Sequence, residues 1–383
     1  MRFSTKALHA GENRHLQQSS VMPPIFMTST FVQDIPGEGE YEYTRAGNPN
    51  FTILEDTLAA LEDAQYATVF SSGLGALTGL LSSFSAGDKI VALEGLYGGT
   101  YRLFNQVFKN FNIRLELVSV HDLRHLKEAL SGAKLFCFET PTNPLLEIYD
   151  IQALSTIAHA ADVPVLIDNT FATPYLQNPL LLGADIVWHS TTKYIGGHSD
   201  TIGGAMMTND ETIKTHLDFG RKALGVNPSP FDCWLITRGV KTLALRMEQH
   251  QKNAGRIANY FQQQPFVKKV YYPGLPMHPG HALAAKQMRG FGGMLSVDLD
   301  LPVTELKTWL ASLSYVRLAE SLGGVESLIC HPASMTHASI PKDERLKQGV
   351  SETLVRISVG LEDIEDLIED FTASFQALQV CAK

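Results

Sequence analysis

From about Phe51 onward, short apolar runs alternate with stretches of helical period, and this alternation restricts the possible folds more than any other feature. The apolar runs are ATVF, KIVALE, RLELVSV, KLFCFET, VPVLIDN and ADIVWHS. Between them, FTILEDTLAALEDAQ places Ile53, Leu54, Leu58 and Leu61 at helical spacing, and GALTGLLSSF, LRHLKEAL and IQALSTIAHAA continue the pattern. Apolar strands separated by helices imply an α/β fold, a mostly parallel sheet covered on both faces. Ligands of such sheets bind beyond the carboxyl ends of the strands, so the residues that follow each run are the ones to inspect.

The texture changes on either side of this region. After Met247 a long helical pattern, RMEQHQKNAGRIANYFQQQ, leads to the strand-like KKVYY, GMLSVDLD and LVRISVG and to an acidic helix, DIEDLIEDFTASFQAL. This is the pattern of a smaller α+β domain. Before Phe51, PPIFMTSTFVQDIPGEGEYEYTRAGNPN has no helical period, yet Ile25, Phe26, Phe31 and Val32 call for burial. The expected division is an arm over 1–50 that packs on a neighbouring subunit, an α/β domain over 51–247 and an α+β domain over 248–383. No internal repeat is present.

Composition narrows the classes. The chain has 383 residues, 44% apolar and 19% charged, and a net charge of −9. That balance belongs to a globular protein and opposes a nucleic-acid phosphate footprint. The four cysteines, Cys137, Cys233, Cys330 and Cys381, are scattered, with no C-x-x-C and no His pair at zinc spacing. Reduced thiols and no metal site are expected. MRFSTKALHAGEN lacks the apolar core of a signal peptide, and no run reaches membrane-spanning length. A cytoplasmic location, with no membrane partner, follows as the expectation.

Three strand ends carry candidate chemistry. In VFSSGLGALTGLL a strand runs into Ser71, Ser72 and Gly73 before a helix starts near Leu74, an arrangement that suits an anion. Gly73, Gly75 and Gly79 are one residue off the dinucleotide fingerprint, which keeps a nicotinamide oxidoreductase as a competing reading, beside a plain turn with serine caps. Asp168 closes VLIDNTF and suits either a helix cap or the counter-charge of a cationic cofactor nitrogen. In HSTTKYIGGHSD, Ser190 and Thr192 face the same way in extended geometry and suit phosphate oxygens. Lys193 follows, shielded by Trp188, Tyr194 and Ile195, and desolvation favours its neutral, nucleophilic amine. A nucleophilic lysine, an acid and two phosphate-type sites together describe pyridoxal 5'-phosphate. A nicotinamide enzyme needs no such lysine.

The chain resembles the cysteine/methionine-metabolism family of pyridoxal-phosphate enzymes, the group of cystathionine lyases and synthases. YEYTRAGNP, SSGLGAL, LYGGTYRLF, ETPTNP, IDNTF, HSTTKYIGGHSD, AESLGGVESL, MTHAS and RISVGLED carry the resemblance in order along nearly the whole chain. Leu74-Gly75 stands where many members have Met-Ala. The resemblance implies the aspartate aminotransferase-like fold of pyridoxal-phosphate transferases. It implies that Lys193 holds the cofactor as a Schiff base, Asp168 holds the pyridine nitrogen and Tyr97 stacks on the ring. The Gly73 and Leu74 amides, with Ser190 and Thr192, would hold the phosphate. Tyr43 and Arg45 would reach the phosphate of an adjacent subunit, making a dimer the smallest active unit and a homotetramer the expected assembly. Arg356 would take the substrate α-carboxylate, supported by Asn143 and Ser321.

Glu42, Arg102 and Glu320 narrow the substrate. They look like the cystathionine-using members, which recognise a second amino-acid end, whereas methionine γ-lyases commonly carry an apolar residue at the Glu42 position and Cys at the Gly99 position. The expected activity is cleavage of the C–S bond of L-cystathionine, by γ- or β-elimination, in trans-sulfuration. The alternative is cystathionine γ-synthase, which joins cysteine to an O-acylhomoserine. His198 and Asp200 are read as structural turn residues.

Overall fold

The computed structural model describes residues 1–13, 19–338 and 340–381. The last residue of the MTHAS motif, Ser339, lies outside the described residues. The chain divides into two compact units. The first comprises Met1–Leu93, Gly99–Phe138 and Ile151–Ala244; the second comprises Glu94–Gly98, Glu139–Asp150 and Leu245–Lys383. The two short segments that join the second unit leave the ends of strands in the first. No sequence pattern distinguishes them.

The first unit is built on seven strands: β1 (Tyr66–Phe70), β2 (Lys89–Leu93), β3 (Arg114–Val118), β4 (Leu135–Glu139), β5 (Val165–Asp168), β6 (Ile186–Ser190) and β7 (Gly204–Thr208). Their order is β1-β7-β6-β5-β4-β2-β3. The pairs β2–β3, β2–β4 and β5–β6 are parallel, while β7 runs antiparallel to both β1 and β6. The strand β7, GAMMT, lies in a stretch where sequence patterning gave no strand. Its register pairs Gly204 with both Phe70 and Ser190. The carboxyl ends of β1 and β6 therefore meet at the start of β7. A Cβ on Gly204 would lie 2.2 Å from Ser72 O and 2.7 Å from Gly73 N, so only glycine admits this approach.

Helix Pro49–Glu62 begins as sequence rules dictate: Pro49 occupies its first turn, and the Asn48 side chain accepts the Asn50 N–H. Its inner face buries Phe51, Ile53, Leu54, Leu58 and Leu61. The arm before it is tied down locally. Asn50 accepts the Phe26 N–H at 2.8 Å and donates to Pro24 O at 2.9 Å. Of its apolar residues, Phe26 and Phe31 are half-buried, whereas Ile25 and Val32, the latter 97% exposed, are left uncovered within the single chain.

The second unit holds β8 (Val267–Tyr271), β9 (Met294–Leu299), β10 (Arg317–Leu318), β11 (Leu328–Cys330) and β12 (Leu354–Ser358), in the order β10-β11-β12-β9-β8. Helices Leu243–Gln262, Val303–Ser312 and Ile364–Cys381 supply an aromatic core in which Phe261 meets Phe371 at 5.0 Å and Trp309 meets Phe375 at 4.7 Å. Cys330 is buried, as are Cys137 and Cys233 in the first unit, and none of the three forms a disulfide among the described residues.

Buried His250 donates Nδ1–H to Val359 O at 2.7 Å, and burial pushes its pKa from 6.5 down to about 4. Its folded pKa lies below the unfolded one, so the unfolded chain binds the extra proton between those values. Stability is fully present above pH 6.5 and is lost as pH falls toward 4, by up to about 3 kcal/mol. Urea midpoints measured from pH 7 to 4 should fall with this slope and flatten by about one proton in His250→Gln. An unchanged slope in the variant would contradict the assignment.

Candidate active site

The loop after β1 and the helix Gly73–Leu81 form an anion cradle. Ser72 caps the helix, its Oγ accepting the Gly75 N–H at 2.9 Å, and its carbonyl takes the Ala76 N–H. The Gly73 and Leu74 amides precede these bonds and have no helical carbonyl to bond. A Cβ on Gly73 would lie 3.2 Å from Ser190 Cβ, so the bare glycine sets the end of β6 against the helix start. Trp188 fastens the same place by donating its indole N–H to Gly73 O at 2.9 Å.

β5 delivers Asp168 beside β6, with Asp168 in register with Trp188. Thr170 bridges the two strand ends: its N–H donates to Asp168 Oδ1 at 2.9 Å, and its Oγ1 accepts the Ser190 N–H at 2.9 Å. Desolvation raises the pKa of Asp168, opposed by its hydrogen bonds with Thr170 and by the charge of His189. A carboxyl in that setting gains most from a cationic partner. Lys193 follows in a turn, its N–H on Ser190 O at 3.3 Å and its carbonyl accepting the Gly197 N–H at 2.8 Å. Tyr194, Ile195 and Trp188 are buried around it, and Lys193 itself is half-buried.

Thr192 is engaged differently from the sequence expectation. Its Oγ1 accepts the Gly203 N–H at 3.0 Å and reaches Gly203 O at 3.3 Å. To bind phosphate it must turn its proton away from that long second contact. His198 closes a turn through Nδ1 on Gly196 O at 2.8 Å, in keeping with a structural part.

These residues fit pyridoxal phosphate. Two helix-start amides and the Ser190 and Thr192 hydroxyls could donate to a phosphate, Asp168 suits a protonated ring nitrogen and Lys193 suits an aldehyde. Tyr43 and Arg45 are exposed and lie against each other, the guanidinium 5.4 Å from the ring centroid. Arg45 also donates to Lys222 O at 2.6 Å. Glu42 and Arg102 are exposed, and neither forms an ion pair among the described residues.

In the second unit, Arg356 on β12 is 3% exposed. It donates to Asn143 Oδ1 at 2.9 Å and to Ser321 O at 2.9 Å, and its Nε has no partner among the described residues. No carboxylate among the described residues pairs with it. A buried guanidinium held only by neutral acceptors calls for an anionic ligand. Ser321 adopts φ +83°, a conformation rare outside glycine that recurs at ligand sites. Glu320 beside it is exposed.

Sequence reasoning missed Glu139, whose carboxylate accepts the Tyr97 N–H at 3.2 Å and the Asn143 N–H at 2.7 Å. It thus couples the backbone beneath the Tyr97 ring to the partner of Arg356. Buried His337 was also unassigned; burial, with the Arg356 charge adding, pushes its pKa down to about 4.

Comparison with known proteins agrees with this geometry. Residues 4–376 match the family model of Cys/Met metabolism PLP-dependent enzymes. The chain is 48% identical to a cystathionine β-lyase of Lactococcus lactis, over 98% of this chain and 99% of the relative. It is 45% identical to a cystathionine γ-lyase of Dictyostelium discoideum, over 99% and 98%. A crystal structure of cystathionine γ-synthase from Xanthomonas oryzae, in complex with aminoacrylate and cysteine, superposes with a TM-score of 0.96 at 42% identity, covering 99% of each chain. These matches replace the nicotinamide reading of Gly73–Gly79.

Proposed function

We propose that this chain, which belongs to the Cys/Met metabolism PLP-dependent enzyme family, is a carbon–sulfur lyase that cleaves L-cystathionine. Pyridoxal phosphate, when bound, supplies an electron-accepting ring that stabilises negative charge at the substrate Cα. The protein's part begins with holding that ring. Lys193 would hold the aldehyde, and Asp168 would keep the ring nitrogen protonated. Ser190, Thr192 and the amides of Gly73 and Leu74 would fix the phosphate, with Tyr97 stacked on the ring. Once released by the substrate, the Lys193 amine would remove the Cα proton and return it later in the elimination.

The observation that carries the substrate class is the buried Arg356 fork, held by Asn143 and Ser321 without a counter-ion among the described residues. It suits an amino-acid α-carboxylate. Glu42, Arg102 and Glu320 are exposed charges, and they support recognition of a second amino-acid end. The second reading is γ-synthesis from an O-acylhomoserine and cysteine, favoured by the 42% identity to a structurally characterised synthase.

Product analysis separates the readings. Purified protein given L-cystathionine should release a free thiol and a 2-oxo acid: cysteine with 2-oxobutanoate for γ-elimination, homocysteine with pyruvate for β-elimination. No thiol from cystathionine, with cystathionine formed from an O-acylhomoserine and cysteine, would overturn the lyase in favour of the synthase.

Assembly belongs to the same proposal. A homotetramer built from dimers would cover the arm, whose Val21, Met27 and Val32 are exposed in the single chain, and would carry Tyr43 and Arg45 to a neighbour's phosphate. Arg45→Ala should then weaken cofactor retention about tenfold, as expected for one lost charge-assisted phosphate contact. Unchanged retention would remove Arg45 from the phosphate site.

A further inference from the structure

Beneath the strand ends that carry Asp168 and Ser190 lies a buried polar cluster with no part in the chemistry above. Glu62, the last residue of helix Pro49–Glu62, is fully buried. Its Oε1 accepts from His189 Nε2 at 2.5 Å and from Asn169 Nδ2 at 2.9 Å. Its Oε2 accepts from Asn178 Nδ2 at 3.2 Å. All three partners are donors to it, so Glu62 acts as an acceptor and His189 has a hydrogen on Nε2.

Stability alone is a poor reason for this arrangement. Burying a carboxylate against an imidazole costs several kcal/mol of desolvation, and apolar residues often fill such a space as well or better. The last turn of a helix is also the end at which the macrodipole disfavours negative charge. His189 Nδ1 is buried without a hydrogen-bond partner among the described residues, which adds a further cost.

The placement of the partners suggests another reason. Asn169 directly follows Asp168, and His189 directly precedes Ser190. One carboxylate oxygen therefore clamps the residue next to the ring-nitrogen acid and the residue next to the phosphate serine. The Asn169 N–H on Trp188 O at 2.9 Å and Gln177 Nε2 on Asn169 Oδ1 at 3.0 Å hold the clamp in one orientation. The charge of His189 also favours the ionised form of Asp168.

We infer that Glu62, acting through His189 and Asn169, is a positioning residue that sets the charge and aim of Asp168 toward the cofactor's ring nitrogen. The inference rests on the cofactor assignment proposed above. A carboxylate that loses this support would stabilise the protonated ring nitrogen less, so that nitrogen would carry its proton less fully and the ring would withdraw less charge. The proton whose loss changes the cofactor's visible absorption is consequently held to higher pH.

The test compares the holoenzyme with Glu62→Gln, His189→Asn and the control Asn178→Ala, reading the pH midpoint of the cofactor's visible band and the Tm of each. Asn178 binds the same carboxylate but flanks neither Asp168 nor Ser190. The first two variants should move the midpoint upward by about half a unit or more, whereas Asn178→Ala lowers Tm and leaves the midpoint in place. Folded Glu62→Gln or His189→Asn proteins with a wild-type midpoint would overturn the inference. So would an equal shift in Asn178→Ala, or loss of folded protein in both of the first two variants, which would mark the cluster as a folding element. A wild-type protein with no cofactor band would instead overturn the cofactor reading on which the inference stands.

Discussion

Lys193→Ala should give a folded protein that binds pyridoxal phosphate without the lysine-linked absorbance band and turns over L-cystathionine at least about 10,000-fold more slowly. The size follows from two losses at one position. On the proposed roles, the amine that would hold the aldehyde disappears, and so does the base that would remove and return the Cα proton. Stability should change little, because Lys193 is half-buried in a turn whose bonds, to Ser190 O and from Gly197 N–H, are made by its backbone. Steady-state rates, the visible spectrum and the Tm check the three parts. Partial recovery with added methylamine would tie the lost rate to the missing amine. A variant with near wild-type turnover would remove Lys193 from the chemistry.

Arg356→Ala should lower kcat/KM for L-cystathionine about 1,000-fold, mainly through KM, as expected when a buried charged pair loses one partner. Arg356→Lys keeps the charge but loses the fork. It should recover only a small part of that loss, because a single ammonium cannot reproduce two parallel N–H bonds to a carboxylate. Asn143→Ala should show a milder version, since it releases one of the two neutral acceptors that orient the guanidinium. Equal kcat/KM in Arg356→Lys and wild type would show that carboxylate geometry is not read at this position.

Much of the first unit was legible because its signals are local. Apolar runs and helical periods mark β1 to β6, and the strands begin and end within two residues of those runs, with Asp168 closing β5 and Ser190 closing β6. Strand β7 was not legible. Its short GAMMT run follows the glycines of the lysine motif, and its identity as a strand depends on pairing with β1 and β6 on either side. The same reason hid Thr170 and Glu139. A threonine after an acid and a glutamate at a strand end look ordinary until Thr170 joins two strands and Glu139 accepts two backbone amides.

The least legible feature was Glu62. In sequence it is a helical acid in LEDAQ, indistinguishable from a solvated one. Only the fold brings it to His189 and Asn169. By contrast, Arg356 lies in the strand-like run LVRISVG, but that run does not tell whether its side chain is exposed. β12 lies inside its sheet, between β11 and β9, and all five of its residues are buried.

The most direct measurement is to reduce the holoenzyme with borohydride, which locks the cofactor to the amine that holds it, and then to map the labelled peptide by mass spectrometry. The account predicts one label, on Lys193 in the peptide that contains HSTTKYIGGHSD. A label on another lysine, or none, would contradict it.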